Sequence, residues 1–213
     1  DRPRAPAPHA LARDRDPHER GRAATPLELL FDLAFVVAFG IAGNQMAHAL
    51  AEDHVAVAIG GFAFGAFAIT WAWINFSWFA SAFDTDDWVY RLTTMVQMVG
   101  VVVLALGLSD VFHSLEEGHG IDNGVVVAGY VVMRVAMLAQ WLRLAAQSPE
   151  HRSAALTYAG TIAVAQVGWI VVAVVHMQLV PTIVASLALY VIELAGPFLA
   201  ERRHPTPWHP HHI

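Results

Sequence analysis

Three ionisable side chains stand inside segments that are otherwise apolar: Asp32, Arg134 and Glu193. Charge within a membrane-spanning helix is costly unless it meets protein, water or a counter-charge, so such residues mark either an internal ion pair or a path for an ion or small solute. Their depths correspond. In "TPLELLFDLAFVVAFG" Asp32 lies ~9 Å past Thr25 at 1.5 Å of rise per residue. Arg134 precedes Arg143 by nine residues and Glu193 precedes Arg202 by nine, which sets each ~13 Å inside the same boundary. Opposite charges at matched depth should find one another. The expected polar site joins Asp32, Arg134 and Glu193, with Glu28 and Arg91 nearer the membrane edge. Glu28 has a simpler role available, because Thr25, Pro26 and Glu28 spell a capping box that starts a helix.

Other polar residues within apolar runs form a second tier. Asn44, Gln45 and His48 lie towards the far end of the first run, with Asn44 and His48 one turn apart, and Asn75, Gln97, Gln140 and Gln166 add amides elsewhere. Hydrogen bonds between helices account for such groups, and a polar pathway is the sharper alternative. Asp84, Asp86 and Asp87 in "DTDDW" put acids at the positive end of a helix dipole. His209, His211 and His212 in "WHPHHI" are weak metal candidates, since they lack acidic or thiolate partners. No cofactor is expected: nothing matches a phosphate-binding loop, a nucleophile elbow or a zincin helix. One intramembrane arginine is too few for a voltage sensor.

The elements that must position these residues are long apolar helices. The chain has 213 residues, 56% of them hydrophobic and 14% charged, and a mean hydropathy of +0.48, outside the balance of a soluble domain. With no cysteine there is no disulfide and no thiolate site. Nucleic-acid binding has no support in a chain of net charge −6. Six apolar segments begin at Leu27, Val55, Trp88, Val125, Ala154 and Val180 and end near Leu50, Ala80, Phe112, Ala146, Met177 and Ala200. Each reaches the ~20 residues that cross the hydrocarbon layer as a helix. The first is too long and too acidic for a cleaved signal peptide.

All twelve basic residues are arginine, and their distribution sets the topology. Apart from Arg134 inside the fourth span, they fall in the first 24 residues, at Arg91, at Arg143 and Arg152, and at Arg202 and Arg203, whereas "AEDH", "HSLEEGHGIDN" and "MQLVP" hold none. The positive-inside rule then makes both ends cytoplasmic. The expected architecture is an all-α polytopic transmembrane bundle over residues 25–201, after a disordered cytoplasmic tail at 1–24 and before a cytoplasmic linker at 202–213. Gly61 and Gly65 form a G-x-x-x-G that invites a close helix contact. Trp71, Trp73, Trp78, Trp88 and Trp141 read as an interfacial belt.

The stretches "TPLELLFDLAFVVAF", "WAWINFSWFASAFDTDDWVYRL", "YVVMRVAMLAQWLRLA" and "ERRHPTPWHPHHI" together resemble the bacterial low-temperature-requirement A (LtrA) family, in the family's order. The resemblance implies a multi-pass protein of the bacterial inner membrane. It also implies a longer chain with further hydrophobic spans after "WHPHH", so the C-terminal half of the same chain is an expected partner beside the lipid bilayer. The family's characteristic polar positions fall on Glu28, Asp32, Asn75, Asp84, Asp86, Asp87, Arg91, Arg134, Glu193, His209, His211 and His212. The family carries a cold-growth phenotype in its name and no assigned reaction. Three functions stay open: a transporter or channel for an ion or small solute, a non-enzymatic scaffold or sensor in cold or envelope adaptation, and, third, a membrane enzyme using the "DTDD" turn and the histidines. Oligomeric state is not legible.

Overall fold

The computed structural model describes residues 13–14, 25–84, 87–118 and 120–203. The expectations for the tail and for His209, His211 and His212 lie outside these residues, apart from a two-residue antiparallel ladder between β1 (Arg13–Asp14) and β2 (Phe83–Asp84).

Helix α1 (Pro26–Ala51) starts at the capping box: the Glu28 amide donates to Thr25 Oγ1 (3.2 Å) and the Thr25 amide to Glu28 Oε2 (3.1 Å). This is the reciprocal satisfaction of helix-end donors that the sequence implies. After a tight turn in which Asp53 has φ 61° comes α2 (Val55–Ala82). Asp87 caps α3 (Trp88–Leu106), its carboxylate accepting from the Tyr90 amide (2.9 Å). The third crossing then breaks at Gly107 and continues as α4 (Leu108–Glu117), which Gly118 terminates with φ 74°. Helices α5 (Gly124–Gln147), α6 (Arg152–Val175) and α7 (Leu179–Arg203) follow, with Pro181 in the first turn of α7.

With α3 and α4 taken together, six helices among the described residues are long and apolar enough to cross a membrane. The chain is a multi-pass helical bundle whose outer surface carries exposed Leu29, Val36, Val99, Val135, Val167, Val174, Val184 and Val191 among other large apolar residues. Water does not tolerate so much contiguous apolar surface, and a lipid bilayer does. The third crossing differs from its expected form: it carries a break, and it runs on to Glu117 through residues assigned above to a connection. An apolar run with no proline gives no sign of either.

Helices α3 and α5 cross with their backbones in close approach. A Cβ placed on Gly100 would stand 2.7 Å from the Gly129 carbonyl oxygen, and one on Gly129 would stand 2.6 Å from that of Gly100. The two backbones touch where both glycines lack a side chain. Gly107 repeats the device one stage further, with the Val126 amide 2.6 Å from its would-be Cβ. Gly61 and Gly65 instead face the Phe112 ring and the Leu108 side chain of α4, so the G-x-x-x-G motif receives side chains rather than a helix backbone.

Candidate functional site

The centre of the bundle is organised around one carboxylate. Glu193 on α7 is 4% exposed, and Arg134 on α5 is 2% exposed. By helical rise both stand ~15 Å or more from either end of their helices, near the middle of each. The Arg134 guanidinium Nη2 and the Trp71 indole Nε1 (3.0 Å) donate to Glu193 Oε2. The Tyr130 hydroxyl (3.0 Å) and Gln166 Nε2 (3.4 Å) donate to Oε1. Donors from α2, α5 and α6 therefore converge on a residue of α7, and the Arg134 Cζ also lies 5.1 Å from the centre of the Tyr130 ring. Tyr130 and Arg134 meet because they are one turn apart on α5. Around this knot, Arg134 Nε, Gln166 Oε1 and Trp169 Nε1 are buried without a hydrogen-bond partner.

Asp32 is not part of this knot. It is exposed on α1, where it accepts from the Trp73 indole (2.8 Å). Trp71 and Trp73 are ~200° apart around α2, so each reaches a carboxylate on a different neighbour. Helix α2 stands between the two acids, and depth alone does not reveal that. Glu28 is spent on its capping box. Arg91 is exposed on α3 near the end of the bundle. Asn44 and His48 are exposed on α1, while Asn75 is buried and bonds the Trp71 carbonyl within its own helix (2.8 Å).

At the same end as Arg91, Asp87 pairs with Arg143 through both carboxylate oxygens, with Nη1 to Oδ1 at 2.8 Å. Partial burial pushes the Asp87 carboxyl up, but the Arg143 guanidinium and the Tyr90 amide outweigh it and hold the group below the usual carboxylate range. The side chains of Asp84 and Asp86 lie outside the described residues. Gln97 and Gln140 bond each other (3.3 Å), and Gln140 also donates to Thr93 (2.8 Å), tying α3 to α5 as interhelical amides do.

The match to a protein-family model covers residues 23–213, under the description bacterial low temperature requirement A protein (LtrA). The chain belongs to the LtrA family. Comparisons with curated proteins and with solved structures return no significant match. Among the LtrA positions named from the sequence, Arg134 and Glu193 form the buried pair, Asp32 and Asn75 each hang on a tryptophan segment of α2, and Asp87 locks α3 to α5.

Sequence reasoning missed Tyr130 altogether and gave Trp71, Trp73 and Trp141 to an interfacial belt. Trp71 and Trp73 serve the two carboxylates, and Trp141 is buried and stacked on Tyr158 at 4.1 Å between ring centres. Trp88 alone of these is strongly exposed, at 69%. The available signal for Tyr130 was its place one turn before an intramembrane arginine. At the opposite end of the bundle, Glu52, His54 and Glu116 bring ligand-type atoms within 4.8 Å of one another. All three are exposed, and His54 lies 3.8 Å and 3.6 Å from the two carboxylates.

Beside the knot, towards the α4 end, a cavity of about 370 Å³ opens between α2, α4 and α7. Tyr190 belongs to its wall and lies one turn before Glu193.

Proposed function

We propose that this LtrA protein is a transporter or channel for an ion or small solute, with Arg134 and Glu193 as the charged centre of the path. One observation carries the reading: a buried ion pair between α5 and α7 near the middle of both helices, held by further donors from α2, α5 and α6, with unpartnered polar atoms around it. Apolar packing holds helices together at lower cost than a desolvated pair does. Helix order alone therefore gives a weak reason to keep these charges. In this reading Glu193 exchanges Arg134 for a passing cation or proton, and the flanking Tyr130, Trp71 and Gln166 keep the carboxylate oriented. Arg143 and Arg152 lie on either side of the α5–α6 connection and Arg202 at the end of α7, all at one end of the bundle, which supports placing that end in the cytoplasm and the protein in the bacterial inner membrane.

The test is flux of protons, Na⁺, K⁺ and Cl⁻ into proteoliposomes carrying the full chain, wild type against Glu193→Gln at matched protein. Transport predicts flux above empty liposomes and its loss in the variant. No flux for any of these ions in wild type counts against it. A second reading has its own support: each Glu193 oxygen already receives two donors, as a permanent fastening would require. A scaffold or sensor in cold or envelope adaptation then uses the knot to fix helix order, and Glu193→Gln lowers stability and abundance without touching flux.

A further inference from the structure

We propose that the knot around Glu193 is a site for a small monocarboxylate, bound beside Arg134 together with one proton on Glu193. The inference rests on the transport reading of the same residues and names its solute.

The first observation is the sign of the shell. The four groups that reach the Glu193 oxygens all do so as donors: Arg134 Nη2 and Trp71 Nε1 on Oε2, and the Tyr130 hydroxyl and Gln166 Nε2 on Oε1. A hard cation takes oxygen ligands, and here it would meet a guanidinium and an indole N–H instead. A cage of donors is complementary to an anion. Glu193 is then the anion that the chain itself supplies, with two donors on each oxygen, and a free carboxylate asks for the same pattern.

The second observation is that the cage is not used up. The Nε and Nη2 of an arginine lie on one edge of the guanidinium and form the fork that takes both oxygens of a carboxylate. Glu193 engages Nη2 of this edge, while Arg134 Nε, on a residue 2% exposed, is buried without a hydrogen-bond partner. A carboxylate lying flat against the edge fills both. Gln166 leaves over the opposite kind of group: its Oε1 is buried without a partner, on the same amide whose Nε2 faces Glu193. A half-turn of that amide presents Oε1 to Glu193, and a protonated carboxyl donates to it where an ionised one cannot. The spare donor suits an anion, and the spare acceptor suits the proton.

Charge ties the two events together. Arg134 and Glu193 now cancel. A proton on Glu193 alone would leave the buried guanidinium without a counter-charge, which is costly, and an incoming carboxylate restores the balance. An anion without the proton would face the Glu193 carboxylate. Proton and anion therefore enter together, the new covalent bond is the O–H of Glu193, and the site is neutral before and after. The other titratable groups facing Glu193 among the described residues are Tyr130 of α5 and Tyr190, one turn earlier on α7, while α2 and α6 present Trp71 and Gln166. Phenols ionise near pH ~10, which leaves Glu193 to take the proton at lower pH.

Room for the anion comes from the same rearrangement. The Glu193 carboxyl, turned to Gln166, gives up its place at the guanidinium, and formate is a carboxylate with a hydrogen where Glu193 has its chain. Tyr190 and Phe67, whose rings are 3.9 Å apart, belong to the wall of the cavity of about 370 Å³ and have space to give way into it.

The experiment is thermal unfolding of the full chain in detergent, titrated with sodium formate against sodium chloride at equal ionic strength. Ligand stabilisation gives the apparent Kd. Formate is expected to stabilise the wild type and chloride is not. While the unliganded chain keeps Glu193 ionised, formate affinity should rise about tenfold for each pH unit lowered, because one proton is taken up per anion. The range from about pH 7.5 to about pH 5.5 keeps the probe itself ionised. Glu193→Gln holds the neutral form permanently, so it should bind formate without pH dependence and at least as tightly as the wild type does at the acid end. The uncharged double variant Arg134→Gln with Glu193→Gln should bind none. If Glu193→Gln does not fold, the wild-type slope decides alone. No stabilisation by formate, a flat pH dependence in the wild type, or chloride acting equally overturns the proposal. Formate bound with one proton in a chain that carries no flux supports this site and sinks the path, whereas Na⁺ or K⁺ flux lost in Glu193→Gln without formate binding keeps the path and overturns the anion.

Discussion

The α3–α5 seam and the α2–α7 seam hold the same bundle together by opposite means. Along α3 and α5 the backbones meet at Gly100 and Gly129, the amides of Gln97 and Gln140 bond across, and Asp87 clasps Arg143 at one end. Along α2 and α7 only side chains reach: the Trp71 indole to Glu193, the Tyr190 hydroxyl to the Phe64 carbonyl, and ring against ring at Phe67 and Tyr190. A cavity lies on this second seam, beside the buried Arg134–Glu193 pair. A backbone contact has no alternative arrangement to fall into, while long side chains can exchange partners. The difference teaches where movement can occur: the first seam is the frame, and the second is the part that can open.

The largest effect should come from striking the frame. In Gly129→Leu the new side chain meets the Gly100 carbonyl oxygen and the backbone of Leu104, and backbone cannot step aside as a side-chain tip does. The cost is expected at or above the top of the ~1–3 kcal/mol range for overpacking, read as loss of the monodisperse peak after solubilisation. Gly60→Leu on the other seam, where nothing crowds the site, should keep that peak. Equal damage from both would erase the contrast between the seams.

The ion pair comes next. Removing one partner, as in Glu193→Leu or Arg134→Met, leaves the other charge buried and alone, which costs about 3–5 kcal/mol. The double variant removes both charges and should recover much of that loss, because two apolar side chains of similar size need no counter-charge. Equilibrium unfolding in mixed SDS micelles measures the cycle. A stable double variant also sharpens the functional question, since a folded protein with no charge at its centre should carry no flux if the pair belongs to a path. Additive single-variant losses would mean that the two groups are not coupled.

The sequence disclosed depth far better than direction. Six spans were legible because ~20 apolar residues in a row have few other uses, and Arg134 and Glu193 were legible as partners because the same rise per residue places them at one level. The rotation of each helix was not. Helices α1 and α2 are apolar almost all round, so no polar face announces which neighbour a residue will meet, and Asp32 was assigned to a knot from which α2 shields it. Tryptophan misled for a related reason: its amphipathic ring suits a membrane interface and a buried carboxylate equally well. Glycine misled in the other direction. The pair with a motif, Gly61 and Gly65, receives side chains, and the backbone contact of α3 with α5 uses single glycines on separate helices that no spacing links.

Asp32 supplies the smallest effect and the finest test of this geometry. It sits on the outer side of α2 from Glu193, is exposed, and holds one indole. In Asp32→Asn the amide oxygen still accepts from Trp73, so the loss should stay within about 1 kcal/mol, the net worth of one hydrogen bond. More telling is its independence. Groups with no shared partner add within ~0.3–0.5 kcal/mol, so Asp32→Asn should shift the unfolding free energy by the same amount in wild type and in Glu193→Leu. A coupling well above that margin would mean that the two carboxylates communicate through α2, with Trp71 and Trp73 two residues apart as the connection. In that event the two seams are not separate, and a change at the knot is transmitted to the exposed face of α1.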